Sequence, residues 1–214
     1  MRPLAIIGIG GHGREALDIV NAINADRPTW EVVGFIDDGV EPGTLASPHS
    51  VPVLGGVTHL SELGIDYVCA IGSTKVRHKI VSQLPSNTAA SIVHPLASIG
   101  SHVTHGPGLI MAAGARVTHA VTMGSHVHIN VGATISHDCR IGDFVTVTPG
   151  VHVSGGACVG SHVWLGVGSS IIQQVTVGDD VTVGAGAAII DDVSDGATVV
   201  GVPGRIINSQ KGQE

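Results

Sequence analysis

Aromatic side chains are scarce in this sequence, so it lacks the large anchors of an ordinary globular core. Only 2% of the 214 residues are aromatic, whereas hydrophobic residues make up 43%. Most of these are Val, Ile, Ala and Leu, so burial must be spread over many small or β-branched side chains. Together with 31 glycines, this composition predicts a regular, repetitive β core. The aromatic residues are Trp30, Phe35, Tyr67, Phe144 and Trp164.

Basic residues are also few. The chain has 10 Lys and Arg against 17 Asp and Glu, which gives a formal net charge of −7. Binding to nucleic-acid phosphates needs clustered basic residues, and a membrane-surface helix needs a basic face. The composition argues against both kinds of partner.

Cysteines number three, at positions 69, 139 and 158. An odd count at wide spacing offers neither a disulfide framework nor a CxxC metal site. The N-terminus has one Arg and a short apolar run that breaks into glycines, too short for a signal peptide or a membrane span. We therefore expect a cytoplasmic protein.

Residues 1–94 alternate apolar strands with polar helical stretches. This βαβ pattern predicts a small Rossmann-like α/β domain, with a parallel sheet and helices on its faces. The expected strands are 4–9, 31–37, 67–71 and 89–93, and the expected helices are 14–25 and 75–84.

Residues 95–214 follow a six-residue repeat. From Ile99 onward there are sixteen hexads, in which position one is aliphatic or Met in all but His105, and position two is often Gly. Position five is almost always small or β-branched. A helix cannot hold a strict six-residue period with this composition, and sandwich turns do not recur so evenly. The pattern predicts an all-β parallel β-helix of a little over five coils, with positions five and one inward and the corner at positions three and four.

The first candidate site is the glycine-rich segment 8–13. It fits G-x-G-x-x-G after a predicted strand, and Asp37 ends the next strand at the spacing of a ribose-binding acid. Alone, this motif suggests a dinucleotide. Only about ninety residues precede the β-helix, enough for one mononucleotide half, so we expect the phosphates of a single nucleotide at the helix N-terminus. A tight turn without a ligand is the alternative.

The second candidate site is His137 with its neighbour Asp138. Most of the thirteen histidines have no adjacent carboxylate, but this one does, at a predicted corner of the β-helix. Imidazole suits the removal of a proton near neutral pH, and a carboxylate can orient the ring or stabilise the imidazolium. No nucleophile elbow is present, and Cys139 falls at an inward position, which favours direct attack over a covalent intermediate.

Five segments together resemble the PglD/NeuD-type sugar acyltransferases of the hexapeptide-repeat superfamily. The resemblance covers essentially the whole chain and implies a left-handed β-helix, a homotrimer with active sites between subunits, and acetyl transfer from acetyl-CoA to a sugar. The favoured acceptor is a nucleotide-linked amino sugar bound by domain 1–94, with N-acetylation in domain 95–214. The segments are 5–20, 35–38, 70–80, 135–144 and 201–205.

The resemblance also implies roles for individual residues, with no metal. The catalytic base would be His137, assisted by Asp138. The acceptor would be bound by Gly10, Gly11, His12, Gly13, Asp37, Asp38, Gly72 and Ser73. The donor would be bound by Thr146, Gly184, Ala185, Gly186 and Arg205, with Lys211 as another late cation.

One position departs from the family pattern. Members often have a second histidine nine residues after the base, where this chain has Thr146. A hydroxyl can donate a hydrogen bond to a thioester carbonyl but cannot carry positive charge. We hypothesise that His128, eighteen residues earlier on the same face, compensates.

Three alternatives remain open at the level of sequence. The acceptor could be a hydroxyl of a sialic acid or another sugar. Stacked histidines at 119 and 137, with His126 and His128 nearby, could begin a zinc site like that of β-helical carbonic anhydrases. The chain could also be a non-enzymatic repeat scaffold, which would not need the His137–Asp138 pair.

Overall fold

The computed structural model describes residues 1–46, 50–84 and 89–209. The chain forms two compact units. The first comprises Met1–Pro95 with Pro107–Ile110, and the second comprises Leu96–Gly106 and the chain from Met111 onward. Within the described residues, no helix is long and apolar enough to cross a membrane.

The first unit is a five-stranded sheet with three helices. Its strand order is β3-β4-β2-β1-β5, and all neighbours are parallel except β3 and β4. This confirms the predicted parallel sheet, but β3, β4 and α2 were not predicted. The elements are β1 Arg2–Ile7, α1 Gly11–Asp26, β2 Trp30–Ile36, β3 Leu45–Ala46, β4 Val51–Gly55, α2 Val57–Leu63, β5 Asp66–Cys69 and α3 Thr74–Val81. A further strand, β6 Ile92–Val93, is not part of the five-stranded sheet.

The second unit consists of very short parallel strands. Its first strands are β7 Ser98–Ile99, β8 Thr104–His105, β9 Ile110–Met111, β10 Arg116–Val117, β11 Thr122–Met123, β12 His128–Ile129, β13 Thr134–Ile135, β14 Arg140–Ile141 and β15 Thr146–Val147. They continue as β16 His152–Val153, β17 Cys158–Val159, β18 Trp164–Leu165, β19 Ser170–Ile171, β20 Thr176–Val177, β21 Thr182–Val183, β22 Ala188–Ile189, β23 Ala197–Val200 and β24 Arg205–Ser209.

From β7 to β22, every third strand joins the same sheet, which confirms the left-handed parallel β-helix. The three faces have the orders β22-β19-β16-β13-β10-β7, β20-β17-β14-β11-β8 and β24-β23-β21-β18-β15-β12-β9. Register partners are eighteen residues apart through most of the unit, as in Arg116 with Thr134. At the end, β24 returns antiparallel to β23.

The buried positions follow the hexads. From Leu109 on, residues at positions five and one point into the core and are at most 6% exposed. The prediction is wrong for Ile99, which is 40% exposed, and for His105, which is also exposed. They lie on β7 and β8, the end strands of their sheets, so a neighbouring strand covers them on one side only.

The corners depend on position four. From His102 to Gly186, residues at this position have positive φ, including the non-glycines His102, Ala120, His126, Asp138, Phe144, His162, Gln174 and Asp180. Position two often lies against the next coil: a Cβ on Gly142 would be 2.6 Å from backbone atoms of Gly160 and Ser161. The repeated Gly therefore reflects the close approach of successive coils.

Candidate active site

His137 and Asp138 lie at the corner between β13 and β14. The His137 Nδ1 atom is 2.8 Å from Asp138 Oδ2, and the two side chains are 65% and 66% exposed in the single chain. An ionised carboxylate only accepts hydrogen bonds, so Nδ1 carries the proton and Nε2 remains as the basic nitrogen. The pair therefore presents an oriented imidazole to a ligand.

The His137 ring lies over the next coil. Gly156 N–H donates a hydrogen bond of 2.8 Å to the His137 carbonyl. A Cβ built on Gly155 would be 2.6 Å from Cε1 of the imidazole and 2.8 Å from Nε2. Sequence reasoning missed Gly155, although it is the one glycine at position three among the sixteen hexads.

The neighbouring histidine at 119 has contacts of its own. Its Nδ1 lies 2.9 Å from Ser101 Oγ, and its ring packs edge-on against His102 at 5.2 Å between centroids. Its carbonyl accepts a hydrogen bond of 3.0 Å from Asp138 N–H. In the part of the chain that the structure describes, no three His, Cys, Asp or Glu side chains form a group that could hold a metal ion.

Thr146 and His128 are register partners on β15 and β12. The Thr146 residue is 2% exposed and His128 is fully buried, although both occupy the outward-facing position six. The side-by-side placement on which the compensation hypothesis depends is therefore present.

The candidate donor residues near the C-terminus lie at two places. The N–H groups of Gly184 and Gly186 are used between coils, as donors to Val199 and Val167 at 2.8 Å. Arg205, at the start of β24, lines a cavity of about 260 Å³ together with Asp191 and Asp192. Among the described residues, no hydrogen bond or ion pair connects Gly184, Gly186 or Arg205 to His137.

The glycine-rich segment begins α1 in the first unit. Gly10 is the N-cap of α1 and makes no side-chain capping bond. A Cβ on Gly13 would be 1.8 Å from Gly8 O, so this glycine is required by the turn whether or not a ligand binds.

Asp37 and Asp38 both organise backbone around this turn. The Asp37 carboxylate accepts hydrogen bonds from Ile9 N–H at 3.1 Å and Gly39 N–H at 3.0 Å. Asp38 accepts one from Val57 N–H at 2.9 Å, where α2 begins. Two cavities of about 140 and 340 Å³ share Asp37, Asp38 and Gly39, and Gly8 lines the smaller one. The two carboxylates thus fix the walls of a pocket.

Two basic side chains accompany the loops of the first unit. His12 Nδ1 lies 3.2 Å from Glu15 Oε2, and burial lowers the pKa of His12 against the opposing effect of Glu15. Arg77 is fully buried in α3 and donates to the carbonyls of Ile71 at 2.6 Å and Gly72 at 3.0 Å. Burial lowers the pKa of Arg77 to about 10, so it stays cationic at neutral pH.

Gly72 and Ser73 therefore lie in a loop whose backbone carbonyls are bound by the buried Arg77 side chain. Ser73 Oγ caps α3 by accepting from Val76 N–H at 3.4 Å. Sequence reasoning assigned Gly72 and Ser73 but missed Arg77, because an arginine in an amphipathic helix is ordinarily solvent-exposed.

Known proteins resemble both units. Residues 3–84 match the family profile described as the PglD N-terminal domain. The acetyltransferase domain of PglB from Neisseria gonorrhoeae FA1090, solved with acetyl coenzyme A, is 33% identical, with a TM-score of 0.87 over 96% of this chain and 99% of that one. No curated protein sequence matches the chain.

Two further solved structures cover nearly the whole chain. A mutant of perosamine N-acetyltransferase from Caulobacter crescentus, in complex with CoA and GDP-perosamine, is 30% identical, with a TM-score of 0.87 over 97% of both chains. WeeI from Acinetobacter baumannii AYE is 28% identical, with a TM-score of 0.85 over 97% of this chain and 100% of that one. Because the chain is 33% and 30% identical to the PglB domain and the perosamine N-acetyltransferase over 96% and 97% of its length, it belongs to the PglD/NeuD-type sugar acyltransferases of the hexapeptide-repeat superfamily.

Proposed function

We propose that this acyltransferase moves an acetyl group from acetyl-CoA to the amino group of a nucleotide-linked amino sugar. The observation that carries the proposal is the 2.8 Å contact between His137 Nδ1 and Asp138, which leaves Nε2 as an accessible base. The relatives point to the substrates: one was solved with acetyl coenzyme A, and another is a perosamine N-acetyltransferase solved with GDP-perosamine.

The proposed chemistry is direct attack. The neutral amine of the sugar attacks the thioester carbonyl, and the new C–N bond forms as its proton passes to His137 Nε2. Asp138 stabilises the imidazolium that results. The C–S bond then breaks, and the departing sulfur of coenzyme A takes the proton from the imidazolium. No covalent acyl-enzyme is required.

The acceptor's nucleotide is proposed to bind in the first unit. Its phosphates would lie at the N-terminus of α1, where Gly10, Gly11, His12 and Gly13 present backbone N–H groups. The nucleoside would enter the cavities lined by Asp37 and Asp38, with the loop of Gly72 and Ser73 beside it. Because Asp37 already accepts two backbone hydrogen bonds, its role there is to shape the pocket as well as to contact the ligand.

The donor is proposed to bind along the β-helix. Thr146, paired with His128, would contact the thioester region, and Arg205 would contact the nucleotide end of coenzyme A. Ala185, exposed at its corner between Gly184 and Gly186, would contact the pantetheine arm. We further propose a cytoplasmic homotrimer with no metal, in which a second subunit covers the exposed His137–Asp138 pair.

The test is thiol release from acetyl-CoA with a panel of UDP-, dTDP- and GDP-linked amino sugars and free sialic acid. Wild-type protein and His137→Ala are measured in parallel, with Gln173→Ala as a control at the same corner one coil beyond Gly155. We expect turnover on one nucleotide-linked amino sugar, a loss of about 100-fold or more in His137→Ala, and full activity in the control.

Each contrary result has a distinct meaning. Turnover on sialic acid alone would replace N-acetylation by O-acetylation. Full activity of His137→Ala would refute the proposed base, and an absence of turnover on every acceptor would refute the proposed substrate class.

A further inference from the structure

We propose that Gly155 is a positioning residue whose missing side chain leaves the space that the His137 imidazole occupies. The inference rests on the proposed role of His137 as the base. It assigns a part in the reaction to a glycine, which has no side chain with which to contact the substrates.

The contact is defined by three atoms. A Cβ on Gly155 would lie 2.6 Å from His137 Cε1, 2.8 Å from Nε2 and 3.2 Å from Nδ1. These are the three nearest atoms to that Cβ, and all belong to the imidazole. Carbon atoms in contact are separated by about 3.5 to 4.0 Å. Any side chain at 155 would therefore overlap the ring in its present orientation.

The backbone does not explain why glycine stands at this position. Gly156, next in the chain, has φ +70°, but Gly155 is not among the residues with positive φ. Equivalent positions in the same corner of other coils carry Ser101, His119 and Gln173. A residue with a side chain is therefore compatible with the corner, and the ring of His137 is what excludes one at 155.

The contact has a consequence for the reactive nitrogen. The His137 carbonyl is held by Gly156 N–H, and its Nδ1 is held by Asp138. A methyl group at 155 would force the ring to rotate, which would lengthen the Nδ1–Asp138 contact and redirect Nε2. Because a side chain can rotate while the backbone stays in place, the coil itself need not be disturbed.

The first experiment is steady-state kinetics of Gly155→Ala with both substrates. We expect kcat to fall by about 100-fold, as small misplacements of reacting groups commonly do. The KM values should remain within about twofold, and the thermal midpoint should stay close to that of the wild type. The Gln173→Ala control should retain wild-type kcat. A Gly155→Ala protein with wild-type kcat would overturn the proposal, as would one whose loss is confined to KM.

A second experiment separates this inference from the proposed function. The double variant His137→Ala/Gly155→Ala should be as active as His137→Ala alone, because Gly155 acts only through the ring. The imidazole NMR signals of His137, identified by their loss in His137→Ala, should shift in Gly155→Ala. Unchanged signals would refute the positioning role even if His137 proved essential. Full activity of His137→Ala would refute the role of His137 as the base. The NMR shift in Gly155→Ala would still test whether residue 155 contacts the imidazole.

Discussion

His137 is held at three points that sequence reasoning could reach only in part. The neighbouring carboxylate was predicted because adjacent residues at a corner can meet. The contact with Gly155 was not, because it joins residues eighteen apart and depends on the rotamer of the imidazole. At the scale of single residues, the chemistry-bearing side chains were easier to predict than the groups that orient them.

Asp138 offers a test of the charge beside the imidazole. It has φ 60°, a conformation that Asn tolerates better than most residues, so Asp138→Asn should keep the corner intact. Without the negative charge, the imidazolium formed during transfer is less stable, and we expect kcat to fall about 10- to 100-fold across the pH range.

The matched control is Asp180→Asn, at another corner with φ 57°. It should keep wild-type kcat, and both variants should keep the wild-type thermal midpoint. Wild-type turnover in Asp138→Asn would show that the carboxylate has no part in catalysis.

At the scale of structural elements, the coils are linked at one corner by a ladder of aspartates. Asp143 accepts from Ser125 N–H at 2.6 Å, and Asp179 accepts from Ser161 N–H at 2.6 Å. Asp179 N–H in turn donates to Asp195 at 2.8 Å. Each carboxylate therefore satisfies a backbone donor in the coil before it.

Removing one rung should lower stability without affecting chemistry. We expect Asp179→Ala to lose about 1 to 2 kcal/mol, because Ser161 N–H is left without its charged acceptor. Urea unfolding measures the change. The control is Asp191→Ala, whose side chain donates and accepts no hydrogen bond among the described residues. Equal midpoints for the two variants would contradict a stabilising role of the ladder.

The β-helix was predictable because its six-residue period is visible as a repeated pattern of residue types in the sequence. Inward positions, corners and parallel pairing all follow from one six-residue rule, and the structure confirms them, with the inward positions buried from Leu109 onward. Fewer elements of the first unit could be predicted from the sequence. β3, β4 and α2 lie between residues 45 and 63, where short segments carry no clear periodicity. The returning strand β24 was also missed, because it lies outside the repeat.

On the scale of the whole molecule, both units bury ionisable groups. The β-helix buries His128 and Cys139, and burial raises the pKa of Cys139, whereas the first unit buries Tyr67, Cys69 and Arg77. Burial raises the pKa of Cys69 to about 12 and that of Tyr67 to about 12. The first unit should therefore lose stability at alkaline pH, and a Cys69→Ala variant isolates the contribution of that thiol.

The sign of that response follows from the protons bound. The reference pKa of the Cys69 thiol is 9.0. Above this pH the unfolded state binds fewer protons than the folded state, so stability falls as pH rises from 9 toward 12. Arg77 acts in the opposite direction, but only above about pH 10, where its lowered pKa lies.

Between pH 9 and 10 the free energy of unfolding should therefore decrease, and Cys69→Ala should show a smaller decrease. Trp30 fluorescence, read during urea unfolding in a Trp164→Phe background, reports on the first unit alone. Parallel slopes with and without Cys69 would contradict the assignment to this thiol.

The oligomeric state bears on how the active site is enclosed. The His137–Asp138 pair is about two-thirds exposed in the single chain, whereas acyl transfer benefits from a site that excludes water. For the proposed homotrimer, sedimentation equilibrium should give three times the chain mass of 21.6 kDa. A monomer with full turnover would show that one chain encloses the site by itself.

The eighteen-residue register, which holds through most of the second unit, also limits how the chain can change length. Removing or adding one residue between 138 and 155 would place a different residue beneath the imidazole and shift the later hexads out of phase. A change of six residues would restore the phase but move every later residue to another face. Only whole coils, each roughly 4.8 Å along the axis, can be gained or lost while the faces stay aligned. We therefore expect the β-helix to vary in length in steps of eighteen residues. We expect these changes to lie outside the interval from His137 to Gly155.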